Sequence, residues 1–488
     1  MIVGQNTNGA TASASPLVGR WLAMAVLFLG SFMNLIDVSI TNVALPQIQA
    51  DTGASATQLE WVAAIYVLAL AIGLLPFGRF GDVYGRKRLF VIGLIGFTIA
   101  SLACGLAPNI TTLIAARAIK GFAAAMMVPQ VLAIVHVIFP PEEKARVFGL
   151  FGTISSLAVV AGPIIGGALI STDIAGLSWR LAFLINIPFG VVALAGALRF
   201  VPSFMGNGNV RPDWIGTGLF TTAAVLLVLP IIEGRAWGWP WWCFAALAAS
   251  IPAALVFVAY ERRRDAQDLS ALLPPSLLAN GPYLMRLALV TLFFSGIPGL
   301  FLVLAVFLQS GFGLSAFESG LVTTPFPVGV MLASLTTERL GGRYLLQRVA
   351  SGAALLACGM LGLLFVINAT GAELKTYLFI APLLICGFGM GTSIMSLFQL
   401  TMSSVATQDA GAGSGAMQAF QQIGAALGIA LSGQIFFASL GERGMAIGTT
   451  ADDFVTAAAL ATIWSVAVFT ALTAVVGATV WKNSKANK

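Results

Sequence analysis

Gly78-Arg79-Phe80-Gly81-Asp82-Val83-Tyr84-Gly85-Arg86-Lys87-Arg88 gathers five charged residues and three glycines into eleven positions. On either side lie residues 58–77 and 89–107, two runs that carry almost no charge. Each is about long enough to cross a bilayer, which takes roughly 20 apolar residues. A backbone in hydrocarbon must satisfy its own polar groups, so runs of this length fold as helices. The quoted stretch is then the turn between two antiparallel membrane helices. Its glycines permit a tight reversal, and Asp82 can cap a helix start or pair with Arg86.

The rest of the chain has the same texture. Of 488 residues, 58% are hydrophobic and only 9% charged, with a mean hydropathy of +0.94. A soluble domain carries about a quarter of its residues as Asp, Glu, Lys and Arg, so these charges suffice for loops but not for a water-soluble coat. The net charge of +6 therefore asks which loops hold the cations, and no nucleic-acid partner is expected. Cys104, Cys243, Cys358 and Cys386 all fall in apolar runs, and His136 is the single histidine. No metal site, cofactor or structural disulfide is expected from that set. Residues 1–19 read as a disordered polar tail, and the run after Arg20 is too long for a cleaved signal and reads as an uncleaved first span.

About fourteen spans follow: 21–43, 58–77, 89–107, 111–137, 147–170, 180–200, 214–232, 241–260, 285–308, 318–335, 349–368, 376–402, 414–438 and 455–480. An even number places both termini on one side. That side holds Arg20, Arg79, Arg86, Lys87, Arg88, Lys144, Arg146, Arg199, Arg211, Arg262, Arg263, Arg264 and Arg286. It also holds Arg339, Arg343, Arg348, Lys482, Lys485 and Lys488, while Arg180, Arg235, Lys375 and Arg443 fall opposite. Nineteen cations against four follow the positive-inside rule with both termini cytoplasmic.

The stretch Glu338-Arg339-Leu340-Gly341-Gly342-Arg343-Tyr344-Leu345-Leu346-Gln347-Arg348 occupies the matching place after the tenth span and repeats the Arg, the Gly, the Tyr and the final Arg of the first. Two six-helix halves related by a parallel repeat would put these stretches in equivalent positions. The expected organisation is a cytoplasmic tail (1–20), a six-helix bundle (21–201), an inserted helix pair with a linker (202–284), a second six-helix bundle (285–481) and a cytoplasmic tail (482–488).

Gly78, Asp82, Gly85, Arg86, Lys87 and Arg88 resemble the signature loop of the major facilitator superfamily. In that family such a loop gates the two halves. Gly162-Pro163-Ile164-Ile165-Gly166-Gly167 in the fifth span is similar to the antiporter motif of the drug-exporting branch, with Ala158 where an earlier glycine is usual. Its Pro and Gly predict a bent, closely packed helix. Arg117, Gly121 and Pro129 are similar to the basic motif of the fourth span. Asn34, Asp37, Thr41, Asn42 and Pro46, with Trp179, Arg180, Phe183, Asn186 and Pro188, resemble the first and sixth spans of fourteen-span drug:proton antiporters. The resemblance implies an all-α membrane protein of the major facilitator fold, working by alternating access and driven by the proton gradient. The second-half stretch departs from the signature at Gly342, Leu345 and Leu346, so a gate built on both would be asymmetric.

Asp37 is the acid deepest in a span. A charge there costs about 2.5–3.5 kcal/mol on insertion scales, which marks it as a functional candidate. It can carry the coupling proton, or it can be a structural partner of Arg117. Asn34 and Thr41 share its helix face, so this polar stripe is expected to line a cavity. Lys120, one turn beyond Arg117, is expected to snorkel toward the interface. No deep acid is expected in the second half. Gln399 on the twelfth span, with Gln418, Gln421 and Gln422 on the thirteenth, form polar faces suited to an amphipathic ligand or to helix packing. Glu233, Trp237 and Trp239 read as interface anchors.

The function expected is export of small amphipathic or lipophilic compounds across a bacterial cytoplasmic membrane in exchange for protons. The partners are then a small-molecule substrate, protons and the lipid bilayer; whether a periplasmic adaptor joins them stays open. So do three other readings: an exporter of one anionic metabolite held by Arg117, a lipid-modifying membrane enzyme, and a passive channel. For the enzyme, the sequence offers no intramembrane Ser/His pair or metal cluster.

Overall fold

Long apolar runs closed by short polar turns fold into membrane-length helices. The first half comprises α1 (Leu17–Thr52), α2 (Ala56–Tyr84), α3 (Arg86–Gly105), α4 (Ile110–Ile138), α5 (Pro141–Thr172) and α6 (Ser178–Phe200). The inserted pair is α7 (Trp214–Glu233) and α8 (Trp241–Asp265). The second half comprises α9 (Gly281–Gly311), α10 (Ala316–Ser334), α11 (Leu345–Ala369), α12 (Thr376–Met402), α13 (Ala410–Ser439) and α14 (Ala451–Ala486). Thirteen of them are apolar enough along their described length to cross a membrane, and α5, with its apolar stretch Ala161–Thr172, makes the fourteenth.

The computed structural model describes residues 17–172, 174–203, 213–265, 272–273, 275–338, 344–370, 374–405, 410–440 and 450–486. Some side chains within these helices, Asp82 and His136 among them, lie outside the description. Residues 339–343 of the second-half stretch also lie outside the described residues, so the repeat at that place carries no structural comparison. Below, the basic end is the one that carries Arg86 and Arg262, and the far end carries Asp51 and Glu233.

Local chemistry sets the helix starts. Ser55 and Gln58 form a reciprocal capping box at the start of α2, with bonds of 3.2 and 2.9 Å. Ser315 and Glu318 do the same for α10, and Asn109 caps α4 through the Thr112 N–H. α9 breaks at Gly296, restarts at Pro298 and ends in a π turn over Phe307–Gly311.

The two halves repeat one packing order. In the first, α4 lies between α2 and α3, and in the second α12 lies between α10 and α11. The contacts are backbone-close in both. A Cβ on Gly121 of α4 would sit 2.4 Å from the Tyr66 carbonyl oxygen of α2, and one on Gly387 of α12 would overlap the Phe326 carbonyl oxygen of α10. Helices approach this closely only where small residues let them. α4 and α12 are six spans apart once the inserted pair is set aside, the relation a parallel repeat requires.

Between the halves, α2 packs on α13, α1 on α9 and α5 on α10. The crossing hydrogen bonds from Gln309 Nε2 to the Val43 carbonyl (3.0 Å) and from the Phe317 N–H to Ser171 Oγ (3.2 Å) both lie at the far end. The halves are thus drawn together there. α7 rests against both α2 and α13, and α8 packs on α7.

One expectation is corrected here. Gly78-to-Arg88 is mostly helix rather than loop, because α2 continues to Tyr84 and α3 begins at Arg86. The reversal is confined to Gly85, with φ +97°, a conformation that only glycine adopts without strain.

Candidate functional site

Asp37 sits 20 residues into α1, roughly 30 Å along the helix, and is fully buried inside the first half. Both carboxylate oxygens are engaged by cations from α4. Arg117 Nη1 reaches Oδ2 at 2.7 Å, and Lys120 Nζ donates to Oδ1. Asn186 Nδ2 of α6 lies 3.4 Å from Oδ1. Arg117 and Lys120 are three residues apart and so share a helix face, which is how one helix delivers two cations to one acid.

The surrounding groups hold the cations in place. Arg117 Nε donates to the Val62 carbonyl of α2 at 2.9 Å, and its guanidinium stands 4.6 Å from the Tyr66 ring centroid. Lys120 Nζ donates to Ser101 Oγ at 2.7 Å, and Ser101 donates its own proton to the Phe183 carbonyl at 2.8 Å. The Phe97 and Phe183 rings lie 4.6 and 5.3 Å from Lys120 Nζ. Aromatic faces attract desolvated cations. They are needed here, since two cations and one carboxylate leave a buried net charge of +1. The amide oxygen of Asn186 is buried and has no partner, so the cluster retains one free acceptor.

Asp37 and Arg117 are therefore brought into direct contact. Lys120 corrects an expectation: it does not snorkel but is fully buried on Asp37. Its spacing from Arg117 is the signal that sequence reasoning passed over. Asn34 and Thr41 correct a second. Both are buried, with Asn34 Oδ1 accepting from Tyr66 OH and Thr41 Oγ1 donating to the Asp37 carbonyl at 2.7 Å. The Asn34 amide oxygen and the Thr41 hydroxyl are thus engaged inside the bundle rather than presented to an open face. Gln399 is exposed and Gln418, Gln421 and Gln422 are half-buried, on α12 and α13. Gln418 Nε2 lies 3.5 Å from the Ser414 carbonyl of its own helix.

The signature residues tie α2, α3 and α4 together at the basic end. Gly81 makes room for Gln130 of α4, whose Nε2 donates to the Phe77 carbonyl at 2.9 Å. Arg86 Nη1 donates to the Ala133 carbonyl at 2.9 Å, and Lys87 Nζ reaches the Leu198 carbonyl of α6 at 3.1 Å. A Cβ on Gly78 would meet Pro129 Cβ of α4 at 3.9 Å, an ordinary contact, and Arg88 is exposed. The Asp82 side chain lies outside the described residues.

The fifth-span motif works at the other end. A Cβ on Gly162 would meet Ser39 Cβ of α1 at 2.3 Å, and one on Gly166 would meet Ile40 Cγ1 at 2.9 Å. Gly167 faces the second half instead, 2.6 Å by the same measure from the Ala316 carbonyl oxygen of α10. In return, a Cβ on Gly320 of α10 would sit 2.4 Å from the Pro163 carbonyl oxygen. Two of these glycines thus seat α5 on α1, and the third lets the halves close.

Buried acids also stand outside those the sequence singles out: Asp213 and Glu261 at the basic end, and Glu60. Glu60 of α2 is fully buried near the far end. Glu233 also does more than anchor an interface: its two oxygens accept the indole N–H groups of Trp61 and Trp237 at 2.6 and 2.9 Å. Among the described residues no group of three or more His, Cys, Asp or Glu has the placement of a metal site.

Comparison with known proteins agrees with the geometry. The Major Facilitator Superfamily model matches residues 27–429. A probable actinorhodin transporter of Streptomyces coelicolor is 38% identical over 91% of this chain and 77% of its own. The puromycin resistance protein of Streptomyces alboniger is 33% identical, over 86% and 83%. The tetracenomycin C resistance and export protein of Streptomyces glaucescens is 29% identical, over 89% and 79%. Among solved structures, a bacterial homologue of the human drug peptide transporters superposes with a TM-score of 0.66 at 14% identity, over 96% of this chain and 99% of that one, a likeness of fold alone. The chain belongs to the major facilitator superfamily, and its sequence relatives place it in the drug:proton antiporter branch.

Proposed function

We propose that this drug efflux transporter exports small amphipathic or lipophilic compounds across the bacterial cytoplasmic membrane in exchange for protons, with the basic end and both termini in the cytoplasm. The observation that carries the reading is Asp37 buried between Arg117 and Lys120. A carboxylate that accepts from two cations is ionised, so the state with the far end drawn together is one in which Asp37 has given up its proton. Rocking of the halves about the α1–α9 and α5–α10 contacts opens the far end. Asp37 then parts from its cations and takes a proton arriving from outside. The distribution of basic residues supports the orientation, and the relatives named for actinorhodin, puromycin and tetracenomycin C support the substrate class. The dedicated exporter of an anion is disfavoured by Arg117, which is buried and already spends Nε and Nη1 on Val62 and Asp37.

The test is efflux from proteoliposomes under an imposed pH gradient, with a fluorescent lipophilic cation as probe. Asp37→Asn is expected to lose gradient-driven transport while keeping probe binding. Gradient-driven transport at the wild-type rate in that variant overturns the coupling role.

A further inference from the structure

Glu60 lies where three parts of the chain meet. It is fully buried, four residues into α2 from its far-end start at Ala56, and roughly 15 Å nearer the far end than Asp37. Arg235, in the turn between α7 and α8, approaches Oε1 with Nη2 at 3.3 Å, and the same nitrogen reaches Thr57 Oγ1 at 3.1 Å. From the second half, Gln434 of α13 places Nε2 3.5 Å from Oε2, and that nitrogen also donates to the Ile232 carbonyl of α7 at 2.9 Å. Gly433 leaves the space the carboxyl fills, since a Cβ there would sit 2.8 Å from Glu60 Cδ.

The charged groups facing Glu60 are Arg235 and, further off, Glu233, which is held by its two indoles. Gln434 and Thr57 are the neutral ones. The groups facing the two carboxylate oxygens are a guanidinium and an amide N–H, not the several oxygen ligands a metal ion needs. A proton needs none. Arg235 is 23% exposed while Glu60 is sealed, so the partner of the acid already touches water at the far end. Any separation of α2 from α13 removes Gln434 from Glu60 and opens that path.

We propose that Glu60 is a second proton-binding carboxyl, which as the carboxylate latches the far end shut through Gln434 and Arg235 and takes a proton from outside when the halves part there. The inserted helix pair then has a role in the cycle: its turn supplies the cation that holds the latch. The proposal rests on the alternating-access reading above and not on the role of Asp37.

The test needs no substrate. The full chain in lipid nanodiscs, with Cys358, the exposed cysteine, replaced by Ser, carries spin labels at Thr111→Cys and Lys375→Cys, exposed far-end sites on opposite halves. The open-to-closed ratio is read from the interlabel distance distribution. In the otherwise wild-type chain it is expected to rise roughly a hundredfold between about pH 8 and about pH 5.5, as linkage of opening to Glu60 and Asp37 together allows. Glu60→Gln is expected to cut that response roughly tenfold, leaving the part linked to Asp37. Gln434→Leu, which keeps the acid, is expected to raise the open fraction at the higher pH, and it decides the matter if Glu60→Gln does not fold. The same pH response in Glu60→Gln as in wild type, or none in wild type, or an unchanged open fraction in Gln434→Leu, overturns the proposal. Asp37→Asn is expected to raise the open fraction at both pH values and to keep a roughly tenfold response that Glu60→Gln added to it removes, so failure of the coupling reading and failure of this one are told apart.

Discussion

Lys120 Nζ meets Asp37 Oδ1 in the interior of the first half, one turn of α4 beyond Arg117, whose Nη1 holds Oδ2 at 2.7 Å. The two cations make the resting cluster electropositive, and this sets what protonation of Asp37 requires. Neutralising the acid in place would leave Arg117 and Lys120 side by side with no counter-charge in a site sealed from water. That arrangement is too costly to persist, because an unpaired buried charge forfeits several kcal/mol of solvation. Proton uptake at Asp37 and movement of α1 away from α4 are therefore a single event. Such a link is what converts a proton gradient into a change of access.

The charge balance makes a stability prediction that separates the two cations from the acid. Asp37→Asn leaves two buried cations and is expected to destabilise the protein by about 3–5 kcal/mol. Lys120→Met removes the excess charge, keeps the Asp37–Arg117 pair, and should leave the melting temperature equal or higher. Proton-driven transport should fall in both. Thermal unfolding in detergent, measured beside the transport assay, checks the pair. A lower melting temperature for Lys120→Met than for Asp37→Asn would show that the lysine is the principal support of the cluster.

Asp37 and Arg117 were legible in the sequence because a charge deep inside a long apolar run is costly to bury and calls for a partner or a use. Lys120 was less so. A lysine on a membrane helix normally reaches for the interface, and only the pairing of its face with Arg117 argues otherwise. Glu60 was hidden for a related reason: an acid just after the Ser55 cap looks like ordinary helix-start chemistry, and its burial depends on Gly433 and Gln434 across the chain. The hairpin after the second span was legible as a reversal of chain direction, yet Gly78 and Gly81 read as loop residues. The structure gives Gly81 a different purpose, space for a side chain from α4, and no pattern local to α2 encodes that. Asn34 and Thr41 had the right face but the wrong neighbour, since whether a polar stripe meets water or another helix is settled by tertiary packing.

Gly81 supports a direct test. A methyl group there would lie 2.0 Å from Gln130 Oε1, while Gln130 is pinned by its bond to the Phe77 carbonyl. Gly81→Ala is expected to expel the amide and cost about 1–3 kcal/mol, the penalty for overpacking and for a buried polar group left unpaired. Gln130→Ala in the same chain removes the obstacle and should restore most of the loss. Unfolding midpoints of the two single variants and the double variant give the coupling directly. Additive effects would mean that the glycine serves helix geometry rather than the glutamine.

Gly167 bears on the transport cycle rather than on stability. It faces the backbone of α10 across the two halves, with a Cβ placed 2.6 Å from the Ala316 carbonyl oxygen and 2.7 Å from Phe317 Cα. Backbone cannot step aside as a side-chain tip can, so Gly167→Leu forces α5 and α10 apart where the far end closes. The variant is expected to fold, because in the open state that face no longer meets α10, and to favour the open state. A thiol probe applied from the far side should then label Ser171→Cys, on the last turn of α5 beside Phe317, several-fold faster in the Gly167→Leu background than in its absence. Net efflux should fall in parallel. Gly162→Leu presses instead on Ser39 within the first half, so it should lower stability without changing that labelling rate. Equal labelling with and without Gly167→Leu would show that closure of the far end does not depend on this contact.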